Sequence, residues 1–146
     1  MGGNLYNLIL RNRRLSEEHS CYYCYCLVEA LEYVHSEKIL HRDIKPENIL
    51  ISREGELKLT DFGLSCQSLT DNKLTGTAEY VSPEMLNNLH YNQSVDYWSL
   101  AVLIYEMVVG TTPFNARNRF FTFQNIKFTN PSFPSYVSQE FQNFIS

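Results

Sequence analysis

The sequence has no stretch of about 18 consecutive apolar residues, the length a membrane-spanning helix needs. Val95 to Val109 comes closest, and Asp96 and Glu106 interrupt it. No block of basic residues occurs and the net charge is -4, so nucleic acid and anionic membrane find no support as partners. Met1-Gly2-Gly3-Asn4-Leu5 lacks the basic and apolar regions of a signal peptide. Met1-Gly2 also lacks the downstream Ser or Thr of a myristoylation motif. Cysteines are few: Cys21, Cys24, Cys26 and Cys66. The Cys21-x-x-Cys24-x-Cys26 run has no second ligand pair and falls inside a helical pattern, which favours reduced thiols over zinc. Repeats and low-complexity tracts are absent. Disorder is excluded by a composition that is 44% hydrophobic and 14% aromatic. With 146 residues, one domain is the ceiling.

The patterning that is present reads mainly as helix. Leu5, Leu8 and Ile9 fit a short amphipathic helix. Ser16 suits an N-cap, with Glu17 and Glu18 near the positive helix end and a helix running to about Ser36. Cys24, Leu27, Val28, Leu31 and Val34 share one face of it and form a core stripe. Ile49-Leu50-Ile51 and Leu57-Lys58-Leu59-Thr60 flank a turn around Arg53-Glu54-Gly55-Glu56 and predict a β-hairpin. Its open ends would bring Asn48 and Asp61 together. Ser94 to Val109 is apolar all round, the mark of a buried helix, with Gly110 as its stop. Residues 115–135 read as polar and aromatic loop, with Pro131 and Pro134. Ser138 and Glu140 start a last helix that bears Phe141, Phe144 and Ile145.

Two strings carry chemistry. His41-Arg42-Asp43-Ile44-Lys45-Pro46-Glu47-Asn48 presents a carboxylate, an ammonium and an amide from one short loop, and Pro46 keeps Lys45 out of helical geometry. Asp61-Phe62-Gly63 follows. Asn48 and Asp61 offer oxygen ligands suited to a hard cation. Together the strings resemble the H-R-D-x-K-x-x-N and D-F-G signature of eukaryotic protein kinases. Gly76-Thr77-Ala78-Glu79-Tyr80-Val81-Ser82-Pro83-Glu84 is similar to the end of a kinase activation segment, with Ser82-Pro83-Glu84 in place of A-P-E. Asp96-Tyr97-Trp98-Ser99-Leu100-Ala101 is similar to D-x-W-S-x-G, with Ala101 where Gly is usual. With Tyr105-Glu106-Met107 through Pro113-Phe114, the set resembles the AGC group of serine/threonine kinases, and Lys45 favours that specificity over tyrosine.

The resemblance implies a mainly α fold: the protein-kinase large, C-terminal lobe with a small β-hairpin, incomplete. It implies ATP and Mg²⁺ as cofactors. Asp43 would orient the substrate hydroxyl and accept its proton, Lys45 would stabilise the moving phosphoryl group, and Thr77 would support both. Asn48 and Asp61 would hold Mg²⁺, and Lys45, Glu47, Asn48 and Asp61 would face the nucleotide. His41, Arg42, Phe62, Gly63, Glu84, Asp96 and Trp98 would be structural or regulatory. Glu47 and Glu106 match positions that accept a substrate arginine. The expected partners are proteins with Ser or Thr acceptors near basic residues, the expected location cytoplasmic or nuclear. The competing expectation is a non-catalytic kinase-like interaction module or a truncated isoform.

The resemblance spans residues 1–146 as a partial kinase domain, from just after the interlobe hinge to the start of a late helix. No G-x-G-x-x-G loop precedes residue 41, and no V-A-I-K strand occurs. The small lobe is thus expected to be absent from these residues, and the chain alone is expected to be inactive. Asn4 stands where many AGC kinases have Glu. Arg117 and Arg119 come too early to pair with Glu84, so its carboxylate is expected to lack its partner. Phe141, Phe144 and Ile145 are expected to lie uncovered, leaving the fragment poorly soluble or molten. Lys73 occupies the usual phosphorylated position, where it would repel Arg42. Asp71, two residues earlier, offers a permanent charge that could reach Arg42, or else is a solvated loop residue without a partner; Thr70 and, more weakly, Thr75 remain candidate phosphosites.

Overall fold

A computed structural model describes residues 3–68 and 70–145. Among the described residues, six α-helices accompany a small three-stranded sheet, which packs against the first two of them. Helix α1 (Leu5–Asn12) begins where Asn4 accepts a bond from the Asn7 amide at 2.9 Å. Helix α2 (Glu17–Ser36) begins at Ser16, whose hydroxyl accepts from the His19 amide, with Glu17 and Glu18 in the first turn as its positive end favours. Strands β2 (Ile49–Ile51) and β3 (Leu57–Leu59) form the expected hairpin, with Ile49 opposite Leu59. Strand β1 (Gly3–Asn4) adds antiparallel to β2. Two residues carry no detectable alternation, so nothing local announces β1.

Helix α4 (Ser94–Val109) is the central element. Leu100, Leu103, Met107 and Val108 are buried on it and join Leu27 and Leu31 of α2 in the main core. The α4 end is fixed closely. The Leu15 amide donates to the Met107 carbonyl at 2.6 Å. Gly110 caps α4 at φ 91°, where a Cβ would sit 2.3 Å from the Arg13 carbonyl oxygen. Only glycine fits both that angle and that gap. Among the described residues, no helix is long and apolar enough to cross a membrane.

Short α3 (Pro83–Leu86) precedes α4. The expected loop over 115–135 contains helix α5 (Arg119–Phe128) instead, capped by Asn118 accepting from the Phe121 amide at 3.1 Å. Its apolar residues keep no helical period, because Phe120 and Phe128 are exposed while Thr122 and Ile126 are buried. Helix α6 (Gln139–Ile145) corrects a second expectation. Phe141 is buried edge-on against Phe133, while Phe144 is 66% exposed and Ile145 half-buried. Helix α6 is tied down at its start. The Ser138 amide and hydroxyl donate to the two carboxylate oxygens of Glu17 at 2.8 and 2.6 Å. Ser138 in turn caps the helix by accepting from the Phe141 amide. Trp98 stacks on Phe114 at 5.7 Å and lines a groove of about 600 Å³ with Ile126, Phe128 and Ile145.

Candidate active site

The segment from Leu40 to Asn48 is held from below by one buried carboxylate. Asp96, fully buried in the first turn of α4, accepts from the backbone amides of His41 at 2.9 Å and Arg42 at 2.7 Å. His35 at the end of α2 adds its Nε2 at 2.8 Å. A carboxylate offers two acceptor oxygens to these donors where an amide would offer one. His35 belongs to no motif in the sequence, because its partner lies 61 positions away. Arg42 turns the chain at φ 67°.

His41 is buried with it. The Asp43 amide donates to Nδ1 at 3.3 Å, which leaves the proton on Nε2 to reach the Thr60 carbonyl at 3.1 Å. Burial holds its imidazole below the usual histidine range, although the Thr60 carbonyl and nearby carboxylates oppose that. Phe62 packs edge-on over the ring at 4.7 Å. Gly63 sits in a short 3₁₀ turn, and its amide donates to Asp61 at 3.1 Å.

Asp43 is the centre of the polar network. Thr77 Oγ1 donates to Oδ1 at 2.8 Å, Asn48 Nδ2 to Oδ2 at 3.0 Å, and Lys45 Nζ lies 2.8 Å from Oδ2. Lys45 also donates to Thr77 Oγ1 at 3.0 Å. Burial pushes the Asp43 carboxyl upward, but the bonds from Lys45, Thr77 and Asn48 outweigh it and hold Asp43 below the usual carboxylate range. The carboxylate is therefore ionised and fixed in direction at neutral pH.

The hairpin carries the two oxygen donors. Thr60 donates to the Asn48 carbonyl through its amide at 2.9 Å and its hydroxyl at 3.0 Å, which places Asn48 beside the residue preceding Asp61. Asn48 Nδ2 is committed to Asp43, to its carbonyl at 2.8 Å and to its carboxylate. That commitment leaves Asn48 Oδ1 as the free acceptor of the amide. Asp61 adopts left-handed backbone at φ 60° and is exposed. One carboxylate and one amide oxygen fit a hard cation that takes its remaining oxygens from water and phosphate. Among the described residues, no group of three or more His, Cys, Asp or Glu side chains is placed to hold a metal.

A second cluster is acidic. The Tyr80 hydroxyl donates to Glu106. Burial raises the Glu106 carboxyl above the usual range; Tyr80 opposes this, and the charges of Glu47 and Glu79 add to it. Glu79, which the motif reading passed over, accepts from Thr112 at 2.5 Å. Among the described residues, no Lys or Arg pairs with any of the three. Glu84 is half-buried, and its carboxylate accepts from the Ser94 hydroxyl at 3.1 Å.

The profile of the protein kinase domain matches residues 1–146. The chain is 40% identical to an Aurora kinase of Eremothecium gossypii, over 100% of this chain and 41% of that protein. It is also 40% identical to the Aurora kinase A-A of Xenopus laevis and to the cAMP-dependent protein kinase type 3 of Saccharomyces cerevisiae, over 99% of this chain and 36% of each. The chain thus spans well under half the length of these relatives. They bear out the resemblance to a serine/threonine kinase of AGC-like kind, and the chain belongs to the protein kinase domain family.

Proposed function

We propose that this chain is the large lobe of a serine/threonine protein kinase that moves the γ-phosphoryl group of ATP to a protein hydroxyl. The observation that carries the reading is the joint hold of Thr77, Lys45 and Asn48 on Asp43. Asp43 Oδ1 or Oδ2 accepts the proton of the incoming hydroxyl. Lys45, adjacent to that carboxylate, neutralises charge on the phosphoryl oxygens. Asn48 Oδ1 and the Asp61 carboxylate would hold Mg²⁺, which when bound screens the phosphates. Asp96 keeps the loop backbone in register by binding two successive amides.

The acidic cluster supports the substrate class. Glu47, Glu79 and Glu106 form a partly desolvated negative surface that, among the described residues, pairs with no Lys or Arg. A substrate with arginine near its acceptor would supply the missing charge in a bidentate geometry.

The test uses the full-length protein, Mg²⁺-ATP and serine peptides that differ only by arginine or citrulline. The arginine peptide should react with the lower KM, and Asp61→Ala should nearly abolish Mg²⁺-dependent turnover. Equal KM values would reject the substrate assignment. Near-normal turnover would remove Asp61 from the metal site.

A further inference from the structure

The stretch from Asp61 to Thr77 joins the cation-binding end of the site to the hydroxyl that holds Asp43. Among its described residues the regular structure is limited to the turn at Phe62–Leu64 and the isolated bridges Leu40–Cys66 and Asp71–Tyr91. Something other than its own backbone ladder must therefore keep Thr77 at 2.8 Å from Asp43.

Arg42 meets this stretch at its start, middle and end. Its Nε donates to the Leu64 carbonyl at 2.7 Å. Its Nη1 pairs with Asp71 Oδ2 and reaches the Tyr91 hydroxyl at 3.3 Å. That hydroxyl donates onward to the Lys73 carbonyl at 2.7 Å. At the end, Gly76 approaches so closely that a Cβ would lie 2.6 Å from the Arg42 carbonyl oxygen.

Asp71 is itself anchored on every side. Its backbone exchanges two hydrogen bonds with Tyr91, at 3.1 and 2.9 Å. Its Oδ1 accepts from the amides of Asn72 at 2.7 Å and Lys73 at 3.3 Å, so both carboxylate oxygens are engaged. The Arg42 side chain is only 7% exposed. A guanidinium so far out of water requires a counter-charge. Among the described residues, Asp71 is the carboxylate paired with it.

We infer that Asp71 is a positioning residue: a fixed anion that ties Arg42 to Leu64 and to residues 71–77 and holds Thr77 over Asp43 with no phosphoryl group on the segment. Lys73, where the family resemblance places a phosphorylated residue, contributes only its backbone to this clasp. The inference rests on the kinase reading for its effect on turnover, but its structural content is independent of that reading.

The experiment is amide hydrogen exchange on the full-length protein as wild type, Asp71→Asn and Asp71→Glu, and on phosphatase-treated wild type. Asp71→Asn should accelerate exchange over residues 70–77 about tenfold while α2 and α4 keep their protection. Asp71→Glu should stay close to wild type, and phosphatase should change nothing. In turnover, Asp71→Asn should lower kcat about tenfold and leave the KM for ATP within about twofold. Unchanged exchange over 70–77 in Asp71→Asn overturns the inference. So does acceleration spread equally across α4, or loss of protection after phosphatase. Absence of transfer by wild type would reject the kinase reading alone and leave the exchange data to decide this one.

Discussion

Thr77 Oγ1 donates to Asp43 Oδ1 at 2.8 Å across 34 positions of sequence. The same hydroxyl accepts from Lys45 at 3.0 Å. One side chain thus sets the direction of both the carboxylate and the ammonium. Thr77→Val keeps the shape and deletes the hydroxyl. Loss of a hydrogen bond to a charged group costs about 1.5–3 kcal/mol, so kcat should fall roughly ten- to hundredfold. Thr77→Ser should retain most activity. Steady-state phosphotransfer checks this, and a valine variant with wild-type kcat would deny the hydroxyl any role.

Asp96 is the load on which the loop rests. Asp96→Asn replaces one acceptor oxygen by an NH₂ that faces backbone N–H donors. Removing one partner of a buried charged network costs about 3–5 kcal/mol. Urea denaturation should show an unfolding free energy lower by that amount, seen as a lower midpoint with an unchanged m-value. A loss of unfolding free energy below about 1 kcal/mol would place the loop's anchor elsewhere.

Gly76 has a narrower requirement. Its φ is 96° and its Cα faces the Arg42 carbonyl. Gly76→Ala must strain the backbone and push the two strands of chain apart, at a cost of about 1–3 kcal/mol. The expected result is a lower melting temperature together with loss of turnover. A variant with the wild-type melting temperature would show that this approach is looser than the structure has it.

Asp43 and Glu106 respond to pH with opposite signs. The Asp43 carboxyl is depressed, so its contribution to stability is present above the unfolded carboxylate value and is lost as pH falls through its lower folded value. The Glu106 carboxyl is raised, so its contribution is full below the unfolded value and is lost as pH rises through the folded one. Glu106→Gln should therefore gain stability relative to wild type as pH rises from about 4 to 8. It should also raise the KM for an arginine-containing peptide about tenfold or more. Melting curves across pH check the first part, and a difference that shrinks with rising pH would contradict it.

Much of the site was legible because its residues are close in sequence. Asp43, Lys45 and Asn48 leave one loop, and the hairpin between Asn48 and Asp61 announces itself through short apolar runs around a Gly turn. Ser16 named the start of α2 because capping chemistry is local. What stayed hidden depends on distant contacts. His35 meets Asp96 and Glu79 meets Thr112 across 61 and 33 positions. Helix α5 lacked a period because it exposes phenylalanines and buries a threonine. Phe141 looked uncovered because its cover, Phe133, lies in a segment read as loop. Asp71 was visible as a charge, whereas the clasp through Tyr91 was not.

The central claim is that Asp43 is the carboxylate on which phosphoryl transfer depends. The most direct measurement is the single-turnover rate of γ-phosphoryl transfer to a serine peptide by the full-length protein, as wild type and as Asp43→Asn, with ATP binding measured in parallel. The account predicts transfer slowed by about 10²–10⁴-fold with nucleotide affinity little changed. Transfer by Asp43→Asn at the wild-type rate would contradict it.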